Sequence, residues 1–268
     1  MFDLNTVDFE KIKEIVKEAA QLFGNDEAAA HIKVKGRSDF VTEVDMAVQT
    51  LLCGKLQALY PDIQFMGEEK DNSDIDFSRP VWILDPVDGT TNLIHRFPES
   101  CISLGFVADH QILAGIIYNP YHDELYFAKK GEGAYLNGKP IHVRPTAELS
   151  ESLVSVGTSP YQHELAGKVF RQIINVYLRS ADIRRMGSSA IDLAYVACGR
   201  TDAFFELVLR PWDYAAGQLI VTEAGGKITD FDGNPIFPDR PVAVLASNGL
   251  IHDEIIRLLN APSLLAES

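Results

Sequence analysis

The sequence predicts a layered α/β protein, in which an antiparallel α+β half is followed by a smaller α/β half. Two amphipathic helical patterns open the chain, and short apolar runs separated by turn signals occupy its middle. Strand and helix patterns then alternate from about residue 146 onward. The 268 residues, 46% of them hydrophobic, can form one large domain or two closely packed halves with a sizeable core. We therefore predict two parts, residues 1–146 and 147–268.

The first part begins with two helices and continues as an antiparallel meander. Residues 7–23 place apolar side chains at helical spacing. Thr42 and Asp45 have the spacing of a capping box and start a second helix, which continues to about Leu59. Asn137-Gly138 is a hairpin turn signal. The predicted strands are 63–66, 81–84, 103–108, 111–118, 124–128, 134–136 and 140–143.

The second part alternates between the two kinds of pattern. Gly225-Gly226 is a plausible C-cap that ends one of its helices. The predicted strands are 153–156, 203–206 and 242–246, and the predicted helices are 163–178, 188–199, 213–224 and 250–259.

Composition excludes several classes of function. The net charge is −14 and no Lys/Arg run is longer than two, so nucleic acid is an improbable partner. No apolar run approaches the roughly 20 residues of a membrane span, and the acidic, amphipathic start lacks the features of a signal peptide. We therefore expect a cytoplasmic protein. Its three cysteines, Cys53, Cys101 and Cys198, fit neither a disulfide framework nor a zinc site.

The most informative segment is Asp85-Pro-Val-Asp88-Gly-Thr-Thr-Asn, directly after the predicted strand 81–84. Pro86 is expected to fix a turn between two carboxylates, and Gly89 permits close backbone approach. The Thr90 and Thr91 N–H groups could hold a phosphate at a helix start. Hard oxygen donors of this kind suit magnesium. The segment alone could equally be an ordinary helix start, since Asp, Gly and Thr are common in turns.

Other acidic residues favour a metal site over an ordinary helix start. Glu68 follows the apolar run 63–66, Asp45 lies in the predicted capping box, and Asp213 begins a predicted helix. Each alone could be an exposed acid or a helix cap. Gathered at one point, they would repel one another without bound cations. A metal ion would supply the positive charge that an acidic protein needs to bind a phosphate ester, with Glu68 as the natural acceptor of a water proton.

Together these segments resemble the inositol monophosphatase family of lithium-sensitive, magnesium-dependent phosphatases. The first family motif is similar to Trp82-Ile-Leu-Asp85-Pro-Val-Asp88-Gly-Thr90-Thr91-Asn92, and the second to Trp212-Asp213-Tyr-Ala-Ala-Gly217 with Glu223-Ala-Gly-Gly226. Gly67-Glu68-Glu69 and Asp39-Phe-Val-Thr42-Glu-Val-Asp45 also match. The resemblance covers nearly the whole chain and implies a sugar-phosphatase-like αβαβα architecture, Mg²⁺ as cofactor and a homodimer.

The resemblance also implies a role for each site residue. The first metal is expected at Glu68, Asp85, the Val87 carbonyl and Thr90, and a second at Asp85, Asp88 and Asp213. Asp45 is expected beside Thr90, where it helps to orient the attacking water. The backbone of Gly89 and Thr90 would hold the phosphate. The substrate-binding residues implied are Asp88, Gly89, Thr90, Gly187, Ser188, Ser189, Glu206 and Asp213, with Glu206 bonded to a substrate hydroxyl.

The sequence leaves the substrate open. Inositol monophosphate is the first expectation. Fructose 1,6-bisphosphate, an adenosine 3′,5′-bisphosphate and histidinol phosphate are alternatives within the superfamily, and a scaffold or regulatory protein is an alternative of another class. The intact set of acids argues against lost catalysis. Arg184-Arg185 could contact substrate or a subunit partner.

Overall fold

The structure is a computed structural model in which residues 2–36 and 39–267 are described. Eight α-helices and fourteen strands lie within those ranges. The helices are α1 Phe9–Ala20, α2 Asp26–Ala30, α3 Glu43–Leu59, α4 Thr90–Ile94, α5 Ala166–Tyr177, α6 Ser189–Ala197, α7 Pro211–Glu223 and α8 His252–Asn260. The strands are β1 Ile32–Gly36, β2 Asp39–Thr42, β3 Gln64–Gly67, β4 Val81–Asp88, β5 Cys101–Ala108, β6 Gln111–Asn119, β7 Glu124–Lys129, β8 Ala134–Leu136, β9 Lys139–Ile141, β10 Leu153–Val156, β11 Asp182–Arg184, β12 Ala203–Leu209, β13 Lys227–Thr229 and β14 Val242–Ser247.

Strands β3 to β9 form a seven-stranded sheet in chain order. Only the β3–β4 pair is parallel, and the other neighbours run antiparallel. Helices α1 and α3 cover one face, where Ile12 and Leu52 share a hydrophobic cluster with Trp82 and Phe106. The other face packs against α7 so closely that a Cβ at Gly115 would meet the Ala216 backbone.

Helices α6 and α7 form the central layer of the molecule. Both carry apolar residues around most of their circumference, as a helix buried between two sheets requires. On their far side lies a five-stranded sheet of order β11-β10-β12-β14-β13. Phe204 faces this central layer, whereas its neighbour Phe205 faces the outer helices α5 and α8, as the two-residue period of a strand dictates. The five layers confirm the predicted αβαβα fold.

Several predicted elements differ from the structure at their ends. The helix predicted over 7–23 is α1, capped by Asp8 and followed by a 3₁₀ turn at Gln21–Gly24. The helix predicted over 163–178 begins as a 3₁₀ turn at His163–Leu165. Strand β12 runs three residues beyond the predicted 203–206, and α7 begins two residues before 213. The short elements β1, β2, β11 and β13 were not predicted.

Two predicted local signals are confirmed. Thr42 and Asp45 make both hydrogen bonds of a capping box at the start of α3. Asn137 and Gly138 both have positive φ, which is the geometry of the type I′ turn that joins β8 to β9. Arg37 and Ser38, which directly precede the predicted Asp39–Asp45 element, lie outside the described residues.

The two sheets divide along the chain near the predicted boundary, since β9 ends at Ile141 and β10 starts at Leu153. One hydrophobic cluster nevertheless contains residues of both parts, for example Ile83 and Ile220. The division at residue 146 therefore stays a prediction. None of the helices formed by the described residues has the length and apolar character of a membrane span.

Candidate active site

Strand β4 contains both acids of the first motif, whereas the sequence predicted that these acids follow the strand. The strand does not end before Asp85 but continues through Pro86 to Asp88, so the predicted turn at Pro86 is wrong. Its pairing with β5 is irregular between Asp85 and Asp88. Proline is tolerated at such an irregularity because its missing N–H costs no ladder hydrogen bond there. The Val87 N–H donates to Asp85 Oδ1 at 2.9 Å, which fixes that carboxylate.

The Thr90 hydroxyl lies between two acceptors. Its Oγ1 is 3.0 Å from both Asp45 Oδ1 and the Val87 carbonyl oxygen. Asp45 is fully buried at the start of α3, where its Oδ2 accepts from the Thr42 N–H at 2.8 Å. Burial raises the pKa of Asp45, and the hydrogen bonds from Thr42 and Thr90 oppose that rise. The structure thus places Asp45 beside Thr90, as the sequence predicted.

Asp88 joins the two parts of the chain. Its Oδ2 accepts from the Ser188 hydroxyl and from the Ala190 N–H, both at 2.6 Å. Ser188 also caps α6, because its Oγ accepts from the Ile191 N–H at 3.3 Å. Burial raises the pKa of Asp88 to about 6, and these donors limit the rise. Ser188 is almost completely buried, so its hydroxyl serves Asp88 in this structure.

Asp213 and Glu68 line the same cavity although they lie on different elements. Asp213 lies in the first turn of α7, where its Oδ2 accepts from the Arg210 N–H at 2.7 Å. Glu68 follows directly after β3 and is half-buried. Burial raises the pKa of Asp213 well above its ordinary value, and the charges of Asp88 and Glu68 raise it further. A residue 125 positions after Asp88 therefore shares its electrostatic environment.

Glu206 contributes a further carboxylate to the site, from strand β12. Its Oε1 accepts from the Ser159 N–H at 2.7 Å, and its Oε2 accepts from the Ser189 hydroxyl at 3.0 Å. A Cβ at Gly157 would overlap the carboxyl group, so glycine is needed there. Burial raises the pKa of Glu206 to about 7 despite these donors.

One cavity of about 260 Å³ brings these groups together. Among the sequence-predicted site residues, Asp45 alone does not line it and lies behind Thr90. The predicted residues that line the cavity are Glu68, Asp85, Val87, Asp88, Gly89, Thr90, Gly187, Ser188, Ser189, Glu206 and Asp213. They come from both parts of the chain, and from both sheets.

The donor chemistry of the cavity fits a hard divalent cation. Burial raises the pKa of Asp85 well above its ordinary value, and the charges of Glu68, Asp88 and Asp213 raise it further. A cation among these carboxylates would reverse that effect. Within the described residues, no three His, Cys, Asp or Glu side chains are already arranged to hold a metal ion by themselves. The predicted donor set also includes the Val87 carbonyl and the Thr90 hydroxyl, which are oxygen donors of the kind that magnesium prefers.

The cavity also contains residues that sequence reasoning missed. Asp192 lies in the first turn of α6 and is 2% exposed, and its Oδ1 has no hydrogen-bond partner among the described residues. Burial raises its pKa well above the ordinary value. Tyr161 and Arg210 also line the wall. The only sequence signal for Asp192 was a single acid in the apolar stretch Ala190-Ile-Asp-Leu-Ala-Tyr-Val-Ala197.

Comparison with known proteins decides the family. Residues 3–263 match the model of the inositol monophosphatase family. The chain belongs to the inositol monophosphatase family. It is 40% identical over 238 residues to inositol monophosphatase 2 of Solanum lycopersicum, covering 86% of this chain and 89% of that protein. It is 38% identical over 206 residues to the Nus factor SuhB of Xylella fastidiosa, covering 76% of this chain and 73% of that protein.

A solved structure agrees with this assignment. The fold superimposes on an IMPase from Thermotoga maritima with a TM-score of 0.84 at 35% identity, covering 93% of this chain and 95% of the other. Membership in the inositol monophosphatase family supports a metal-dependent phosphatase activity. The names of the relatives differ, and they do not define the substrate.

Proposed function

We propose that this protein is a magnesium-dependent phosphatase that hydrolyses a phosphate monoester of a small polyol, with inositol monophosphate as the best candidate. One observation carries the proposal. A single cavity is lined by Asp85, Asp88 and Asp213 and also by Glu206, whose carboxylate can accept a hydroxyl hydrogen bond. The name of the tomato relative supports inositol as the alcohol.

The metal would lie among the acids of the two motifs and Glu68. Glu68, Asp85, the Val87 carbonyl and Thr90 would hold one magnesium ion, and Asp85, Asp88 and Asp213 a second. Bound magnesium neutralises a phosphate dianion, lowers the pKa of water and stabilises the leaving oxygen. Hydrogen bonds from the Ser188 hydroxyl and the Ala190 N–H already orient the Asp88 carboxylate. Val87 and Thr90 could contribute to the same ion because the Val87 carbonyl oxygen and Thr90 Oγ1 lie 3.0 Å apart.

Protein groups would manage the proton of the attacking water. Asp45 Oδ1 accepts from the Thr90 hydroxyl, which leaves the Thr90 oxygen free to accept from a water in the cavity. Glu68 lies on the same wall and can take the proton. The N–H groups that open α4 would bind phosphate oxygens, because the first N–H groups of a helix have no partner within it. Lithium sensitivity and a homodimer belong to the same proposal, as expectations from the family.

The first test concerns the metal and the substrate together. Phosphate release should be measured from inositol 1-phosphate, fructose 1,6-bisphosphate, adenosine 3′,5′-bisphosphate and histidinol phosphate, with magnesium and with excess chelator. We expect the highest kcat/KM for inositol 1-phosphate, no turnover with chelator, and recovery when magnesium is restored. Full turnover in excess chelator would contradict the metal-dependent mechanism, and a different preferred ester would change the substrate.

The second test concerns Glu206. Glu206→Gln keeps an acceptor for the Ser159 N–H but removes the charge that receives a substrate hydroxyl. Hydrogen bonds to charged groups contribute about 1.5–3 kcal/mol, so KM for inositol 1-phosphate should rise roughly ten- to hundredfold. KM for p-nitrophenyl phosphate, which has no neighbouring hydroxyls, should change by less than about twofold. Equal increases for both esters would show that Glu206 does not contact the polyol.

The pH dependence of the same variant provides a control. The pKa of Glu206 is raised to about 7, so the wild-type carboxylate gains a proton as pH falls through that value. The wild-type KM for inositol 1-phosphate should therefore rise below pH 7. Glu206→Gln should show a smaller rise between pH 7 and 6.5, because its amide does not titrate, whereas the titration of Asp88 at about pH 6 remains in both proteins. Parallel pH profiles for the two proteins would assign the titration to another group.

A further inference from the structure

Tyr161 lines the cavity, but the proposed hydrolysis gives it no role. It lies between β10 and α5, and it is 52% exposed. Among the described residues, none is hydrogen-bonded to its hydroxyl. A tyrosine hydroxyl can donate one hydrogen bond and accept others, so this group is available to a ligand that enters the cavity.

A tight turn holds Tyr161 on the cavity wall. The Gln162 N–H donates to the Ser159 carbonyl at 2.9 Å, which places Pro160 and Tyr161 at the two central positions of the turn. Ser159 is itself attached to strand β12, because its N–H donates to Glu206 Oε1 at 2.7 Å. The ring of Pro160 fixes its own φ, which further limits the movement of the turn. The position of Tyr161 on the wall is therefore set by the backbone.

The hydroxyl of Tyr161 lies close to the acids of the site. Burial raises the pKa of this hydroxyl, although the residue as a whole is 52% exposed, so the hydroxyl is the more enclosed end of the side chain. Negative charges raise the pKa further, and they belong to Glu68, Asp213, Asp85 and Asp88. Because the effect of a charge falls with distance, the hydroxyl lies near these four predicted metal ligands.

This position favours phosphate as the group that Tyr161 contacts. The phosphate of the substrate would bind at the magnesium ions, and would therefore lie beside the same four acids. The raised pKa keeps the hydroxyl protonated at neutral pH, so it can donate a hydrogen bond to a phosphate oxygen. A hydrogen bond to a charged acceptor is roughly twice as strong as one between neutral groups.

We propose that Tyr161 binds the phosphate group that is cleaved, by donating a hydrogen bond from its hydroxyl to a non-bridging phosphate oxygen. This inference rests on the proposed phosphatase function. It adds a side-chain donor from the second part of the chain to the N–H groups that open α4. Since the phosphate is common to all substrates and to the inorganic product, Tyr161 should act on all of them alike.

The test compares Tyr161→Phe with the wild type on two esters and on the product. We measure kcat and KM for inositol 1-phosphate and for p-nitrophenyl phosphate, and the inhibition constant of inorganic phosphate, all with magnesium. Tyr161→Phe should lower kcat/KM for both esters by the same factor, roughly ten- to hundredfold. The inhibition constant of inorganic phosphate should rise at least roughly tenfold.

Tyr177→Phe is the matched control. Tyr177 ends α5, is also 52% exposed, and lies outside the cavity wall. Its substitution should leave both esters and the phosphate inhibition unchanged. The melting temperatures and elution volumes of both variants should equal those of the wild type, because neither hydroxyl has a hydrogen-bond partner among the described residues.

The outcomes separate this inference from the proposed function. An unchanged inhibition constant for inorganic phosphate in Tyr161→Phe overturns the inference, and so does a loss confined to inositol 1-phosphate, which would place Tyr161 on the alcohol. Should the wild type hydrolyse neither ester, the proposed function fails, and calorimetric titration with inorganic phosphate and magnesium tests Tyr161 separately. Weaker binding by Tyr161→Phe, by roughly tenfold or more, would then support the contact, and equal binding or none in either protein would refute it.

Discussion

Asp213→Asn should lower kcat roughly a thousandfold, because metal stabilisation of a leaving oxygen contributes several kcal/mol and about 1.4 kcal/mol is tenfold in rate. Asn can still accept the Arg210 N–H that Asp213 Oδ2 now accepts at 2.7 Å. The loss would therefore arise from the missing charge and not from an uncapped helix. Magnesium titration of the variant should show one site retained and the weaker one lost.

The folded state of this variant should be as stable as the wild type or more stable when chelator is present. The pKa of Asp213 is raised by burial and by Asp88 and Glu68, so its charge costs free energy in the fold at neutral pH. Asn removes that cost. Asp8→Asn is the matched control, since Asp8 also accepts a helix N–H, that of Lys11 at 3.0 Å, but lies outside the cavity wall. Near-normal kcat and magnesium binding in Asp213→Asn would make Asp213 a helix cap only.

Most helices and strands could be predicted because each depends on a local pattern, whereas their arrangement in five layers was implied by the family resemblance. Strands buried on one or both faces give apolar runs, and the Thr42–Asp45 and Asn137-Gly138 signals involve residues at most three positions apart. Elements whose stability comes from the tertiary context were missed. Strand β11 has two exposed residues and one half-buried residue at a sheet edge, and β13 is equally short. Their pairing depends on neighbours distant in sequence, which no local pattern encodes.

Part of the candidate site could be predicted from the sequence, and part of it required the structure. Acids at strand and helix ends indicated Glu68, Asp85, Asp88 and Asp213, and the family resemblance gave their roles, which remain predictions. The hydrogen bonds from Ser188 and Ala190 to Asp88 join residues about a hundred positions apart, so only the structure could show them. Only the structure could show that Asp192 lines the site, because a buried acid in an apolar helix has the same sequence pattern as an exposed one.

Asp85→Asn should have a still larger effect than Asp213→Asn. Asp85 is the residue expected to contribute to both metal sites, so its loss should remove both from a magnesium titration and bring kcat close to the uncatalysed background. Asn can keep the hydrogen bond from the Val87 N–H, which Asp85 Oδ1 now accepts at 2.9 Å. Asp62→Asn is the control for one lost charge, because Asp62 is exposed and lies outside the cavity wall.

Thermal unfolding distinguishes the loss of metal binding in Asp85→Asn from a general destabilisation of the fold. Magnesium at about a hundred times its Kd stabilises a folded protein by about 2.7 kcal/mol, which is roughly 5–10 °C in Tm for a chain of this size. The wild type and Asp62→Asn should show that increase, and Asp85→Asn should not. In chelator the Tm of Asp85→Asn should be higher than that of the wild type, since burial and the neighbouring acids disfavour the Asp85 charge and Asn lacks it. A lower Tm for Asp85→Asn in chelator would mean that the carboxylate supports the fold itself, whereas a preserved magnesium shift would place the metal elsewhere.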